Sequence, residues 1–242
     1  MTQRRLTVPL VAVVHAGYFR SGKGTLIAKF RDIGHPVFET GEELRKRAKL
    51  HPNDPTYDPI RKRQPVTSGL VLRVTKLWLI DIIRRKVDRE IIHLDGIPRL
   101  PDQIPIIEFL QERGYQVKIA WNTTPMEVCE ARPPRPNRPE DVDPELIKNG
   151  REFYRDQTLP TLHMLEQQFA GAGKKHDVLK FNNTELQPEE SFSLVTNFII
   201  AGPKAAHAAP PVTVQSASTL TSLDTNHKSP GIPMHGQVYP PQ

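Results

Sequence analysis

Between Gly17 and Thr25 the chain reads Gly-Tyr-Phe-Arg-Ser-Gly-Lys-Gly-Thr, the residues most plainly equipped for chemistry. Backbone N–H groups in such a loop, the positive end of a following helix and a lysine ammonium together make a seat for phosphate oxygens. Ser21, Gly22, Lys23, Gly24 and Thr25 form that seat, and the Thr25 hydroxyl is placed to reach Mg²⁺. Arg20 adds a charge beside it, which either strengthens phosphate binding or points to solvent. Asp95-Gly96-Ile97-Pro98-Arg99 supplies a carboxylate that can hold Mg²⁺, directly or through water, and a guanidinium fork for a second phosphate; Arg45 is another such fork. Arg132-Pro133-Pro134-Arg135-Pro136-Asn137-Arg138 sets three arginines in seven residues. Alone, this would read as a solvated basic loop. Beside a phosphate seat, it supplies cations that follow charge onto a migrating phosphoryl group while water is kept out.

These residues need a frame that brings them together. The apolar run Val8–Val14 predicts a buried strand and Lys23–Ile33 a helix. Further strands are expected at His35–Glu39, Glu90–Leu94, Gln116–Trp121 and Val178–Phe181. Helices are expected from Thr40 to about Leu50 and at Val71–Val87, Pro101–Arg113, Pro125–Ala131, Pro144–Phe169 and Pro188–Ile200. Short apolar strands separated by helices predict a parallel sheet covered on both faces. Ligands of such sheets bind at the carboxyl ends of the strands. The loops after Val14, Glu39, Leu94 and Trp121 would then face one site.

Composition sets outer bounds. The 242 residues suffice for one α/β domain, expected over 1–201, and the Pro-, Ser-, Thr- and Ala-rich stretch 202–242 reads as a disordered tail. No run of about 18 apolar residues is present, so no membrane span is expected. The basic start Met1–Arg5 leads into the first strand without a small-residue cleavage site and does not read as a signal peptide. Cys129 is the only cysteine, which excludes an intrachain disulfide and fits a cytoplasmic protein. A net charge of +6, spread over several loops, suits phosphorylated substrates better than specific nucleic-acid binding. His15, Trp78 and Trp121 read as packing residues.

Taken in order, the motifs resemble the adenylate kinase family of P-loop nucleoside monophosphate kinases over roughly residues 8 to 200. Ser21-Gly22-Lys23-Gly24-Thr25 is similar to the family's phosphate loop, and Thr40-Gly41 with Leu44-Arg45 to its monophosphate-binding helix start. Ser68-Gly69-Leu70-Val71 resembles the segment whose backbone lines the monophosphate base. Asp95-Gly96-Ile97-Pro98-Arg99 with Gln103 resembles the Asp-Gly-Phe-Pro-Arg…Gln motif. Arg132, Arg138-Pro139-Glu140-Asp141 and Tyr154 with Gln157-Thr158 resemble the lid and the helix after it. The resemblance implies a three-layer α/β/α P-loop NTPase fold with a mostly parallel five-stranded sheet. It also implies a helical monophosphate-binding insertion at about 40–87 and a short lid at about 132–143.

The activity it implies is Mg²⁺-dependent transfer of the ATP γ-phosphoryl group to AMP, giving two ADP, in a cytoplasmic monomer. Lys23 and the amides of Ser21–Thr25, with Arg20 and Arg132, would hold ATP. Arg132 and Arg138 would close over the transferring group, while Arg45, Arg99, Arg138 and Arg151 hold the acceptor phosphate. Thr40, Leu70, Val71, Gly96 and Gln103 would surround the acceptor, with Gln103 favouring adenine because its amide both donates and accepts. Thr25 and Asp95 would serve Mg²⁺, and no zinc is expected because the lid has no cysteine set. The chain departs from the family's pattern at several points. Phe19-Arg20 stands where the family has Pro-Gly, Glu42 replaces an Asp, and Arg135 is only the nearest candidate for the second lid arginine. Arg151 lies one position past the expected arginine, about 100° round a helix; a local bulge could restore it. The alternatives are a kinase for another (deoxy)nucleoside monophosphate, a catalytically weak nucleotide-binding protein, or non-specific nucleic-acid attraction through the basic loop.

Overall fold

The apolar run after Leu10 forms β1, Val11–Gly17, at the middle of a five-stranded sheet. The structure, a computed structural model, describes residues 10–62, 66–84, 90–135, 138 and 141–201. The basic start, Val8 at the head of the expected first strand, residues 85–87 of the helix expected at Val71–Val87, Pro136, Asn137, Pro139, Glu140 and the 202–242 tail lie outside it. Helix α1 covers Lys23–Asp32, β2 Val37–Glu39, α2 Thr40–Leu50, α3 Asp58–Arg61 and α4 Ser68–Arg84. Strand β3 follows at Ile91–Asp95, α5 at Pro105–Glu112, β4 at Gln116–Asn122 and α6 at Met126–Ala131. Helices α7, Pro144–Phe153, and α8, Leu159–Gly171, precede β5, Val178–Phe181, and α9, Pro188–Ala201.

All described strand pairs are parallel, in the order β2-β3-β1-β4-β5. The sheet is therefore wholly parallel where a mostly parallel one was expected. Successive side chains of a strand point to opposite faces, and β1 divides accordingly. Val11 and Val13 pack with Leu26 and Phe30 of α1 and with Phe192, Val195 and Phe198 of α9. Ala12, Val14 and Ala16 face the other layer, where α2, α4, α5 and α8 bring Leu44, Leu79, Ile106 and Leu165. The sheet is thus covered on both faces, which is why its strands are continuous apolar runs rather than alternating ones.

Several boundaries differ from expectation for visible reasons. Strand β1 runs three residues further, because His15, Ala16 and Gly17 still pair with Ala120, Trp121 and Asn122 of β4. The single helix expected at Pro144–Phe169 is divided by a π-helical segment, Tyr154–Thr158. Pro160 has no N–H to offer the carbonyl four residues back, and a wider turn takes its place. The helix expected at Pro101–Arg113 opens as a 3₁₀ turn, Pro101–Gln103, and α5 begins at Pro105. Among the described residues no helix is long and apolar enough to cross a membrane.

Candidate functional site

The chain passes from one side of β1 to the other between β3 and β4. A crevice opens at the carboxyl ends of strands where such a switch occurs. Here a cavity of about 890 Å³ lies at that edge. Its walls include Arg20, Gly22, Lys23, Gly24 and Thr25 from the loop after β1, and Asp95, Gly96 and Arg99 from the loop after β3. Arg132, Arg135 and Arg138 line it from the loop after α6. Arg20, Lys23, Arg99, Arg132, Arg135 and Arg138 thus come together, while Ser21 is buried and is not among the lining residues. Thr40, Arg45, Leu70, Val71, Gln103 and Arg151 are not in those walls.

The loop is held by close backbone approach and by a buried polar network. Gly17 has φ +136°, and a Cβ there would stand 2.6 Å from the Asn122 carbonyl oxygen, so only glycine lets β1 and β4 stay paired to their ends. Asn122 Nδ2 and Asn183 Nδ2 donate to the Ser21 carbonyl at 2.8 and 3.2 Å. Thr124 Oγ1 donates to Asn122 Oδ1 and accepts from the Asn183 amide, and Ser191 Oγ donates to Asn183 Oδ1. All five residues are buried, and a satisfied network of this kind fixes one loop geometry. Arg132 adds to it, donating to the Arg20 carbonyl at 2.9 Å and the Asn183 carbonyl at 2.6 Å. Its guanidinium therefore braces the loop after β1.

Lys23 Nζ donates to the Gly17 and Tyr18 carbonyls, each at 2.7 Å, and to Ser21 Oγ at 3.4 Å. Burial lowers its pKa to about 8, only partly countered by Asp95. Arg20 sits at φ +58°, alone among described non-glycine residues in the left-handed region. The backbone at this position has the turn for which the resemblance expected glycine. Arg20 Nη1 reaches only to the Asp141 carbonyl at 3.5 Å, and its Nε is buried without a partner. Arg20 lines the cavity.

Gly96 has φ +80°, and a Cβ there would lie 2.8 Å from an Arg99 guanidinium nitrogen, so its bareness lets Arg99 fold over the backbone. Gln103 is 4% exposed. Its Oε1 accepts from the Arg99 amide at 2.8 Å and its Nε2 donates to Ser68 Oγ at 3.3 Å. Gln103 is thus a strut beneath Arg99 and not a wall of the cavity. Thr40 is likewise committed, its hydroxyl donating to the Asp95 carbonyl at 2.9 Å. Leu70 and Val71 place their side chains in the core. Arg45 is exposed, with its guanidinium over Gly41.

Arg151 pairs with Glu130, which also accepts from the Tyr18 hydroxyl at 2.6 Å. Arg151, then Tyr18, outweighs burial and holds the Glu130 carboxyl below its usual range. The π-helical segment lies after Arg151 and does not turn it back. Gly150 faces the cavity instead, against Phe19. Arg135 is bound by Asp141 through its amide, Nε and Nη2, at 2.8 to 2.9 Å. Burial pushes the Asp141 carboxyl up, yet those bonds together hold it below its usual range.

Sequence reasoning missed Asn122, Asn183 and the apolar wall of Phe19, Leu146 and Phe153. The two asparagines carry a usable signal, since each is polar and stands at or just past the carboxyl end of a strand. No protein-family model matches the chain, and no curated protein matches it.

Proposed function

We propose that this chain is a P-loop nucleoside monophosphate kinase of the adenylate kinase type, moving the γ-phosphoryl group of ATP to a monophosphate, AMP first, as a cytoplasmic monomer. The observation that carries the reading is the convergence of Lys23, Arg99, Arg132, Arg135 and Arg138 with Asp95 on one cavity at the mouth of a glycine loop. The strand order, with β1 between β3 and β4, and the cover on both sheet faces support a three-layer P-loop fold. In this reading residues 40–87 are the monophosphate-binding insertion and 132–143 the lid.

Thr25 and Asp95 fit a divalent cation, since Asp95 Oδ1 is buried without a hydrogen-bond partner and both residues line the cavity. Bound there with the nucleotide, Mg²⁺ would neutralise phosphate charge. The chain's own part is positional. The loop amides and Lys23 hold the donor phosphates, and Arg99, set by Gln103, holds the acceptor phosphate in line. Arg132 keeps the loop in shape, and Arg138 faces the space between. An acceptor phosphate oxygen would then attack the γ-phosphorus as its bond to the β–γ bridging oxygen breaks and ADP leaves, with no covalent enzyme intermediate. Preference for adenine rested on Gln103; because Gln103 is committed to Arg99 and Ser68, the acceptor base is a matter for assay.

A second reading, a nucleotide-binding protein with weak turnover, draws on Arg151 paired to Glu130 and Arg135 paired to Asp141. Formation of ADP from ATP and Mg²⁺ against AMP, CMP, UMP, GMP and the deoxynucleotides separates the two. Turnover with AMP supports the first reading, and turnover with another base keeps the mechanism and changes the acceptor. ATP binding without turnover on any acceptor selects the second. Lys23→Ala is expected to lower turnover by about 10²–10³-fold while the protein stays folded; unchanged turnover sinks the phosphate-loop assignment.

A further inference from the structure

Strands β2 and β3 end in register, with Glu39 beside Asp95, and Asp95 lies beside His15 of β1. Neighbours in register share a face of the sheet, and all three line the cavity. Glu39 is held by Arg31 at 2.6 Å. The other two present a different picture. Asp95 Oδ1 and His15 Nδ1 are both buried and both without a hydrogen-bond partner, and His15 is 2% exposed. The nearby ammonium of Lys23 has three protons, directed to two carbonyls and a hydroxyl.

A chain of imidazoles stands behind His15. His15 Nε2 lies 2.8 Å from His93 Nδ1, and His93 Nε2 lies 2.9 Å from His35 Nδ1. If each bond carries one proton donated away from His15, His15 keeps its proton on Nε2 and leaves an unshared lone pair at Nδ1. A ligating histidine is set in this way by the hydrogen bond its other nitrogen makes. Two acceptors side by side call for a cation or a donor between them.

We propose that His15 Nδ1 and Asp95 Oδ1 together bind a first-row divalent cation of the Mn²⁺ kind, which carries the phosphates of the nucleotide. The proposal rests on the phosphate-loop reading. Among the described residues no three metal-ligating side chains gather closely enough to hold an ion unaided, so the remaining ligands are phosphate oxygens, water and the Thr25 hydroxyl. An imidazole in the set favours Mn²⁺ or Co²⁺ over Mg²⁺, whose preferred partners are oxygens. His93 and His35 are positioning residues that fix the tautomer.

The test uses the full chain labelled with ¹⁵N, Mn²⁺ and unlabelled β,γ-methylene-ATP, read by pulsed electron paramagnetic resonance. Nucleotide binding is measured separately by equilibrium dialysis. Expected are a ¹⁵N coupling of the size given by a directly bonded imidazole, its loss in His15→Gln, and a fall of about tenfold in the preference for Mn²⁺ over Mg²⁺ in that variant. Bound Mn²⁺–nucleotide with no ¹⁵N coupling, or a coupling that survives His15→Gln, overturns the proposal while the phosphate-loop reading stands. Failure to bind nucleotide at all removes that reading and this site with it. Should His15→Gln not fold, the unaltered chain decides, since His15 is the histidine among the cavity's lining residues: a directly bonded ¹⁵N imidazole coupling supports the site, and its absence with Mn²⁺–nucleotide bound overturns it.

Discussion

Arg20 holds a left-handed backbone, φ +58°, at the tightest point of the phosphate loop. An L side chain in that region costs about 1–2 kcal/mol, whereas glycine enters it freely at some expense in unfolded-chain entropy. Arg20→Gly is therefore expected to stabilise the protein by about 1 kcal/mol, or about 2–4 °C in Tm. Thermal unfolding followed by circular dichroism checks this; a lower Tm would mean that the Arg20 contact with the Asp141 carbonyl outweighs the backbone. The functional types at this scale were legible where one residue's chemistry is local. Lys23 and Thr25 stand in the first turn of α1, Asp95 ends β3 and Arg99 follows it closely, so neighbours in sequence dictate their placement. Gln103 and Arg132 were legible as chemistry and not as partners, since Ser68 and Asn183 come from distant parts of the chain.

Helix α7 shows what a single position means on a helix. Gly150 faces the cavity and Arg151, about 100° further round, reaches Glu130 outside its walls. A Cβ at position 150 would meet Phe19 at 3.5 Å, an ordinary contact, so a side chain can be placed there. Gly150→Arg is expected to bring another guanidinium to the cavity and raise phosphoryl transfer about tenfold. The same change removes a mid-helix glycine and adds about 1 kcal/mol of stability. Steady-state turnover and Tm read the two effects independently, and unaltered turnover with a raised Tm would show that the acceptor phosphate lies elsewhere. Strands and helices were readable in the sequence because apolar runs and their spacing are local. The division of the helix at Tyr154–Thr158 was not, since it depends on how one missing N–H at Pro160 is absorbed by the turns before it.

Over the whole molecule, alternation of strands and helices foretold a parallel sheet with two covers, and the sheet is so built. Which strands lie side by side is set by pairing between segments far apart in sequence, as with β1 against β3 and β4. The inner carboxylate at Asp141, which Arg135 grips with three N–H groups, is hidden from sequence for another reason. Its side chain is fully buried, and a short proline-rich loop does not announce which of its charges folds inward. That carboxylate is a resident competitor for the arginine that hangs near Gly24. If the proposed phosphate site is occupied, an anion that takes the whole Arg135 fork would exchange places with Asp141, and a polyphosphate held by several loop groups at once would do so more readily than a lone orthophosphate. Asp141→Asn takes the competitor's charge away. Inorganic phosphate binding, measured by calorimetry, is expected to strengthen about tenfold in that variant while nucleotide triphosphate binding changes less. Equal gains for both ligands would show that no such discrimination exists. On the proposed function, Asp141 would make the site discriminate by ligand length, favouring an anion that can hold on elsewhere while the exchange is made.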